Sequence, residues 1–357
     1  MRLFHCTGCG QLVFFENTAC LRCGRELAFD PVTCVMLSAP GSSEPGALGS
    51  SMNNSTGLRH CRGGAPDCNW LAGDGPDERC VSCRLTTSPA PAIDSISSTR
   101  WQRLESAKRR LLYTLLRLGL PLADLRFSFP EKGLTGHADG LITIVLSEAD
   151  DAERERRRVE LHEPLRTLLG HMRHEIGHFY HAKLVLDSPL LPEVRAVFGD
   201  ERADYQAALK RHYAEGPPAG WEQNFISAYA TSHPHEDWAE TWAHYLHIVD
   251  GVEISEAYGL RSAPITCGPD GNTPAGSATG LSGAPQQVDD FAGLLAAWLP
   301  LTYLANSLNR SIGLNDWYPF VMNPPVIERL RLIHRVVVAA HSPAPVVPAP
   351  QATPTAA

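Results

Sequence analysis

Five consecutive residues, His174-Glu175-Ile176-Gly177-His178, constrain this chain more than anything else in it. Two histidines four apart on a helix project from one face, with the carboxylate of Glu175 beside them. Neutral imidazoles at that spacing bind one Zn²⁺ at ~2.0–2.1 Å, and the metal lowers the pKa of a bound water from ~15.7 to about 7, so that Glu175 can take the proton. The helix is predicted independently of the motif. From Leu161 to Leu186, Leu165, Leu168, Leu169, Met172, Ile176, Phe179 and Leu184 recur at helical spacing with charge between them, and Pro189 and Pro192 close the stretch.

A catalytic zinc needs a third protein ligand and an open fourth position. A histidine six residues past His178 would make the metzincin pattern, but position 184 is Leu. The alternative is a carboxylate from a later helix, which the segment from Pro234 to Tyr245 supplies. On it Glu236, Glu240 and His244 stack at i, i+4 and i+8, while Trp238, Trp242 and Tyr245 make an apolar stripe. Glu236 is the first choice for the third ligand; Glu240, one turn on, would orient a ligand histidine through its other ring nitrogen. The plainer reading makes these carboxylates a solvated helix face, against which the apolar flank argues. Asp204 is a weaker rival ligand, better read as a helix cap or an arginine's partner. His171 and His181, one turn to either side of the motif, are read as surface imidazoles or as groups behind the ligands.

Eight of the ten cysteines form two sets within the first 83 residues. Cys6-x-x-Cys9 and Cys20-x-x-Cys23, each followed by glycine, read as a four-thiolate zinc ribbon; Cys61, Cys68, Cys80 and Cys83 make a second set of less regular spacing. The competing reading is a disulfide framework. The amino terminus, Met1-Arg2-Leu3-Phe4-His5-Cys6, has no apolar signal region and enters a ligand set at once, which points to a reducing, cytoplasmic location. Cys34 and Cys267 are left over. Phe291 to Leu308 is the most apolar stretch, interrupted by Pro300, Asn306 and Ser307, and is expected to be a buried helix and not a membrane span. The net charge of −8 argues against a generic nucleic-acid or anionic-membrane binder. The run Arg154-Glu155-Arg156-Arg157-Arg158 is of mixed sign and reads as a solvated helix face.

Glu236-Asp237-Trp238-Ala239-Glu240, with Tyr229 seven residues before it, looks like the Glu-x-x-Ala-Glu segment of lethal factor and its gluzincin relatives. By that resemblance Tyr229 donates its phenolic proton to the oxyanion, with His233 as the alternative. The chain as a whole resembles a bacterial family of zinc-binding metallopeptidases with an amino-terminal zinc-ribbon domain. The matching stretches are Leu134 to Thr143, Arg173 to His178, Gly199 to Tyr205, Ser227 to Asp250 and Leu299 to Gly313, so the likeness covers most of residues 1–92 and 100–337. It departs at 38–57 and 262–287, which are Gly-, Ser- and Pro-rich and read as flexible.

The expected fold is α+β: a mainly helical, zincin-like metallopeptidase domain with a small sheet over 93–337, containing the flexible loop 262–287. A zinc ribbon at 1–37, a linker at 38–57 and a second cysteine-rich zinc segment at 58–92 precede it, and a disordered tail at 338–357 follows. Leu12 to Phe15 is expected to be a short strand, Ser97 to Leu118 an amphipathic helix, and Leu141 to Leu146 a strand beside the metal helix, where such folds pair an extended substrate with a sheet edge. The expected chemistry is zinc-dependent hydrolysis of a protein or peptide, with His174, His178 and Glu236 on one catalytic zinc, Glu175 as general base, and two further structural zinc ions in the cysteine sets. A docking partner held through the ribbons is part of that reading. Two alternatives stand beside it: a nucleic-acid-associated protease like the SprT-like enzymes, and a regulatory zinc centre without turnover, for which an intact Glu175 has no use.

Overall fold

The computed structural model describes residues 2–40, 58–63, 67–92, 95–160, 167–260 and 290–341. Residues 41–57 of the expected linker, the loop at 262–287, residues 342–357 of the expected tail and the start of the predicted metal helix at 161–166 lie outside the described residues.

In the cysteine-rich segment, β1 (Phe4–His5) pairs antiparallel with β2 (Leu12–Val13), and β3 (Leu27–Asp30) with β4 (Val35–Ser38). The strand expected over Leu12 to Phe15 stops at Val13, because the Phe14 amide turns to the Asn17 side chain at 2.7 Å. Residues 67–71 lie against β3: the Phe29 amide donates to the Asn69 carbonyl at 2.7 Å and the Leu71 amide to the Phe29 carbonyl at 2.9 Å. Trp70 is thereby set among aromatic rings, 4.9 Å from Phe29 and 6.2 Å from Phe15. A single turn, α1 (Val81–Arg84), follows.

The helix α2 (Ile96–Arg117) starts where Ser95 accepts from the Ser98 amide, and buries Trp101, Leu104, Leu111, Leu112 and Leu115. Its Tyr113 closes the aromatic cluster of the cysteine-rich segment, with ring centroids 5.5 Å from Phe15 and 6.0 Å from Phe29. Then come β5 (Arg126–Ser128), β6 (Gly136–Ala138) and β7 (Leu141–Thr143), in the order β5-β7-β6. β7 is parallel to β5 and antiparallel to β6. The strand expected over Leu141 to Leu146 ends at Thr143 and is flanked on both sides, so among the described residues the edge beside the cleft is that of β6. Gly140 makes the turn between them at φ +77°, where a Cβ would lie 2.4 Å from the Asp124 carbonyl oxygen.

The α-helices that follow among the described residues are α3 (Asp151–Glu160), α4 (Leu168–Leu184), α5 (Leu191–Phe198), α6 (Tyr205–Glu215), α7 (Pro234–Ala257), α8 (Phe291–Ser311) and α9 (Pro324–His341). The architecture is α+β, mainly helical with small sheets, as the sequence predicts. On α3 the charged run pairs with itself, Arg156 with Glu153 and Arg158 with Glu155. Pro192 stands in the first turn of α5, so it opens the next helix and does not close α4. α9 continues through residues 338–341, which the sequence reading gave to the tail.

α8 differs more. By length and composition it could cross a membrane, yet it runs unbroken through Pro300 and buries only Leu294, Trp298 and Thr302. Among the described residues it is a largely apolar surface helix that exposes Tyr303, Leu304 and Leu308, not the buried one expected. Trp298 fills the space over Gly251 of α7, where a Cβ would lie 2.5 Å from the indole.

α4 and α7 run antiparallel against each other at the centre. Gly177 permits the approach: a Cβ there would lie 3.0 Å from the Ala239 Cα and 3.1 Å from the Trp242 Cβ, both fixed by a helix backbone. The Trp238 indole donates to the Gly177 carbonyl at 2.9 Å, tying the two helices at the contact. We expect Gly177→Val to force them apart and to lower stability by about 1–3 kcal/mol or more, as overpacking of a tight core does. Chemical denaturation checks this; an unchanged midpoint would contradict it.

Candidate metal centre and active-site cleft

α4 starts at Thr167, whose hydroxyl accepts from the Gly170 amide at 2.9 Å. It carries His174, Glu175 and His178 to the face that meets α7. α7 starts at His233 and Pro234, and its first turn presents Glu236. The three expected ligand side chains are brought together: Nε2 of His174 and of His178 are 3.2 Å apart, and Oε2 of Glu236 lies 3.0 Å from the first and 3.6 Å from the second. A tetrahedral zinc with ligands at ~2.0–2.1 Å spaces them about 3.4 Å apart, so this triangle is of the right size. Glu236 Oε2 is buried and has no hydrogen-bond partner. Burial opposes charge on His174, but the Glu236 and Glu240 carboxylates outweigh it and hold the ring well above the usual imidazole range. The pocket thus stabilises positive charge where the three atoms converge. The residues fit a divalent cation.

Each of these groups is held from behind. Glu240 places one oxygen 2.7 Å from His174 Nδ1 and accepts from the Ser227 hydroxyl at 2.6 Å with the other. Tyr205 donates to Glu236 Oε1 at 2.7 Å. His178 Nδ1 lies 3.3 Å from Nε2 of His235, a ring that burial first, and His178 second, push down to about 3. Glu175 lies 3.2 Å from His171 Nε2, and the other nitrogen of His171 lies 2.9 Å from Glu148. The two carboxylates overcome desolvation and push His171 up to about 9, and its contact in turn keeps Glu175 below the usual carboxylate range despite burial.

A cleft of about 830 Å³ runs over this cluster, lined by Glu175, Tyr229, Tyr205 and the stretch from Gly133 to His137 at the free edge of the sheet. Tyr229 stands 5.9 Å from the His174 ring, centroid to centroid. Burial and the Glu236 carboxylate push its hydroxyl upward, so it keeps its proton. His233 is differently placed: one ring nitrogen caps α7 by accepting from the His235 amide at 3.1 Å, and the other lies 3.1 Å from the Ala203 carbonyl oxygen. Asp204 caps α6, accepting from the Ala207 amide at 3.0 Å, and is no member of the cluster.

The sequence profile of a family described as "Putative zinc-binding metallo-peptidase" matches residues 97–336, and that of a zinc-ribbon domain matches 3–94. The chain belongs to this metallopeptidase family. It is 41% identical over 352 residues to two uncharacterized mycobacterial proteins, Rv2568c of Mycobacterium tuberculosis and Mb2598c of Mycobacterium bovis, with 94% of this chain and 95% of each of theirs covered. No solved structure matches it.

The cysteine sets of this family member are equally compact. Cys6 and Cys23 sulfurs are 3.6 Å apart, as are those of Cys9 and Cys20. In the second set Cys68 lies 3.8 Å from both Cys80 and Cys83, and Cys61 accepts from the Cys80 amide at 3.1 Å. A disulfide needs ~2.0 Å, whereas four thiolates at ~2.3 Å around one zinc are about 3.8 Å apart. The nine cysteines among the described residues are free thiols, Cys34 included. Cys267 lies outside the described residues.

Sequence reasoning passed over Tyr205, Ser227, His235 and Glu148. Tyr205 and Ser227 do lie in the segments that carry the family likeness. His171 and His181 are not surface groups: the first holds Glu175, and the second is buried against His235 and Trp238. We expect Cys20→Ser to lower the zinc content of the purified chain by one ion while leaving the histidine-held metal in place. Metal analysis after gel filtration reads it, and an unchanged zinc content would contradict it.

Proposed function

We propose that the protein is a zinc-dependent peptidase of gluzincin type, with His174, His178 and Glu236 holding the metal. The observation that carries this reading is the convergence, among the described residues, of three ligand atoms beside a carboxylate on the floor of an open cleft. Bound there, zinc supplies Lewis-acid polarisation of the scissile carbonyl and activation of water. Everything else is done by the chain. Glu240 and His235 fix the ligand rings so that their Nε2 atoms face the cluster. Glu175, kept ionised by His171, takes a proton from the attacking water and returns it to the departing amine nitrogen. Tyr229 donates its hydroxyl proton in a hydrogen bond to the oxyanion as it forms. The β6 edge offers backbone groups with which an extended peptide can pair.

The substrate is a protein or peptide. A partner docked on the ribbon would meet the exposed Phe14, Leu21 and Val32. Two structural zinc ions in the cysteine sets accompany the catalytic one, and free thiols at zinc spacing suit a cytoplasmic, reducing compartment.

Glu175→Gln should keep its zinc and lose hydrolysis by at least ~10²-fold, the low end of what general acid-base catalysis contributes. Peptide mass spectrometry on a proteome-derived library, with wild type and variant side by side, reads this; equal cleavage by both would overturn the mechanism. Glu236→Ala should abolish tight binding of the exchangeable zinc, and Glu240→Ala should weaken it by only ~10–100-fold. Zinc affinities measured in competition with a chromogenic chelator test the order. The reverse order would move the ligand to Glu240.

A further inference from the structure

Beyond Glu240 the cleft continues along α7, where His244 and His247 line it. His244 lies about 12 Å along the helix axis from Glu236. The protonation of both rings is set from behind. Nδ1 of His247 meets a guanidinium nitrogen of Arg173, which can only donate, so Nδ1 is the acceptor and the proton is on Nε2. Arg173 is held in turn by Asp250, and Asp250 accepts from the Thr114 hydroxyl at 2.8 Å. Nδ1 of His244 lies 2.7 Å from the hydroxyl of Tyr318, a buried group for which this ring is the one acceptor among the described residues. The hydroxyl therefore donates, and His244 too carries its proton on Nε2. Burial pushes His244 down to about 4 and, with Arg173, His247 well below the usual range, so neither ring is charged at neutral pH.

Two uncharged N–H donors thus line one stretch of the cleft, on rings 5.9 Å apart, without a protein acceptor for either among the described residues. The same cleft carries the carboxylates Glu148, Glu222 and Glu240. An apolar side chain would leave both donors unpaired, and a carboxylate would be repelled by its neighbours. A carboxamide meets both conditions, because its carbonyl oxygen has a lone pair for each donor and its NH₂ group suits an acidic wall.

We propose that His244 and His247 are the specificity-determining residues of a subsite that takes the carboxamide side chain, glutamine or asparagine, of a peptide substrate. As a statement about substrate this rests on the peptidase reading; as a statement about binding it does not. Two measurements keep them apart. In the first, the full chain is labelled with ¹⁵N-histidine, the His244 and His247 resonances are assigned by their loss in His244→Phe and His247→Phe, and three probes are added: the N-acetyl methylamides of glutamine, glutamate and norleucine. Both rings should show the neutral Nε2–H pattern, and the glutamine probe should shift their resonances at concentrations at least ~10-fold lower than the other two. A ring protonated on Nδ1, or equal response to all three, overturns the proposal.

In the second, cleavage of a peptide library by wild type should show one position at which glutamine or asparagine exceeds glutamate and norleucine by about tenfold, and His247→Phe should reduce that preference to parity with norleucine. Cleavage without any such position overturns the subsite. If the probes bind as expected and no peptide is cut, the peptidase reading falls and the carboxamide site stands.

Discussion

Everything at the centre of this protein depends on how closely two helices can approach. α4 and α7 meet at Gly177 and Ala239, so closely that even a methyl group on Gly177 would lie 3.0 Å from the Ala239 Cα. That contact is what allows an imidazole on one helix to reach a carboxylate on the other without a bridging loop. Trp238, Trp242 and Tyr180, all buried, close around it on the side away from the cleft. The burial that holds the helices together also strips water from His174, Glu175 and Glu236, and desolvation at this depth makes each charge depend on its partners. The polar stripe survives burial because every member has a specific counterpart: Glu240 for His174, Tyr205 for Glu236, His171 for Glu175. Among the described residues Glu236 Oε2 is left without a hydrogen-bond partner, at the point where the ligand atoms converge.

The helices and the ligand cluster were legible in the sequence because both are short-range patterns. Apolar residues at helical spacing mark α2, α4 and α7, and a two-histidine motif fixes its own local geometry once the helix is granted. Thiolate pairs at Cys-x-x-Cys spacing are local in the same way. What escaped notice depends on distant pairings. For His171 the sequence leaves open a surface ring or a group behind the ligands, because its partner Glu148 lies 23 residues earlier on a different element. Ser227 and Tyr205 have no motif of their own; each matters only through a carboxylate of α7. The β-rich composition of Leu141 to Leu146 marks a strand in the sheet, yet such composition cannot say which strands flank it or which edge is left open. α8 misled by hydropathy, since an apolar helix and a buried helix differ only in what else packs on them.

The placement of the cysteine-rich segment is a further consequence of the same economy. It shares one continuous core with the helices, through Phe4, Phe15, Phe29, Trp70 and Tyr113. Polar ties reinforce the join. Lys108, buried in α2, donates to the Ser82 carbonyl at 2.9 Å and pairs with Glu105 at 2.8 Å, and Arg2 and Tyr113 both reach Glu253 of α7. Buried charges of this kind are costly unless every partner is present, so loss of the fold around the second cysteine set would leave Lys108 short of a partner inside the helical core.

These contacts also decide which sheet edge stays open. The Thr87 amide donates to the Phe127 carbonyl at 2.8 Å and the Phe127 amide to the Leu85 carbonyl, so the segment after Cys83 covers the outer edge of β5. An uncovered strand edge invites pairing with other chains, and of the two edges of this sheet the cysteine-rich segment closes the one facing away from the metal centre. Its tie to α7 is at Glu253, 17 residues and about 25 Å along the helix from Glu236. The cysteine sets are thus joined to the cleft only at a distance, through α2, β5 and α7, while among the described residues the β6 edge stays uncovered.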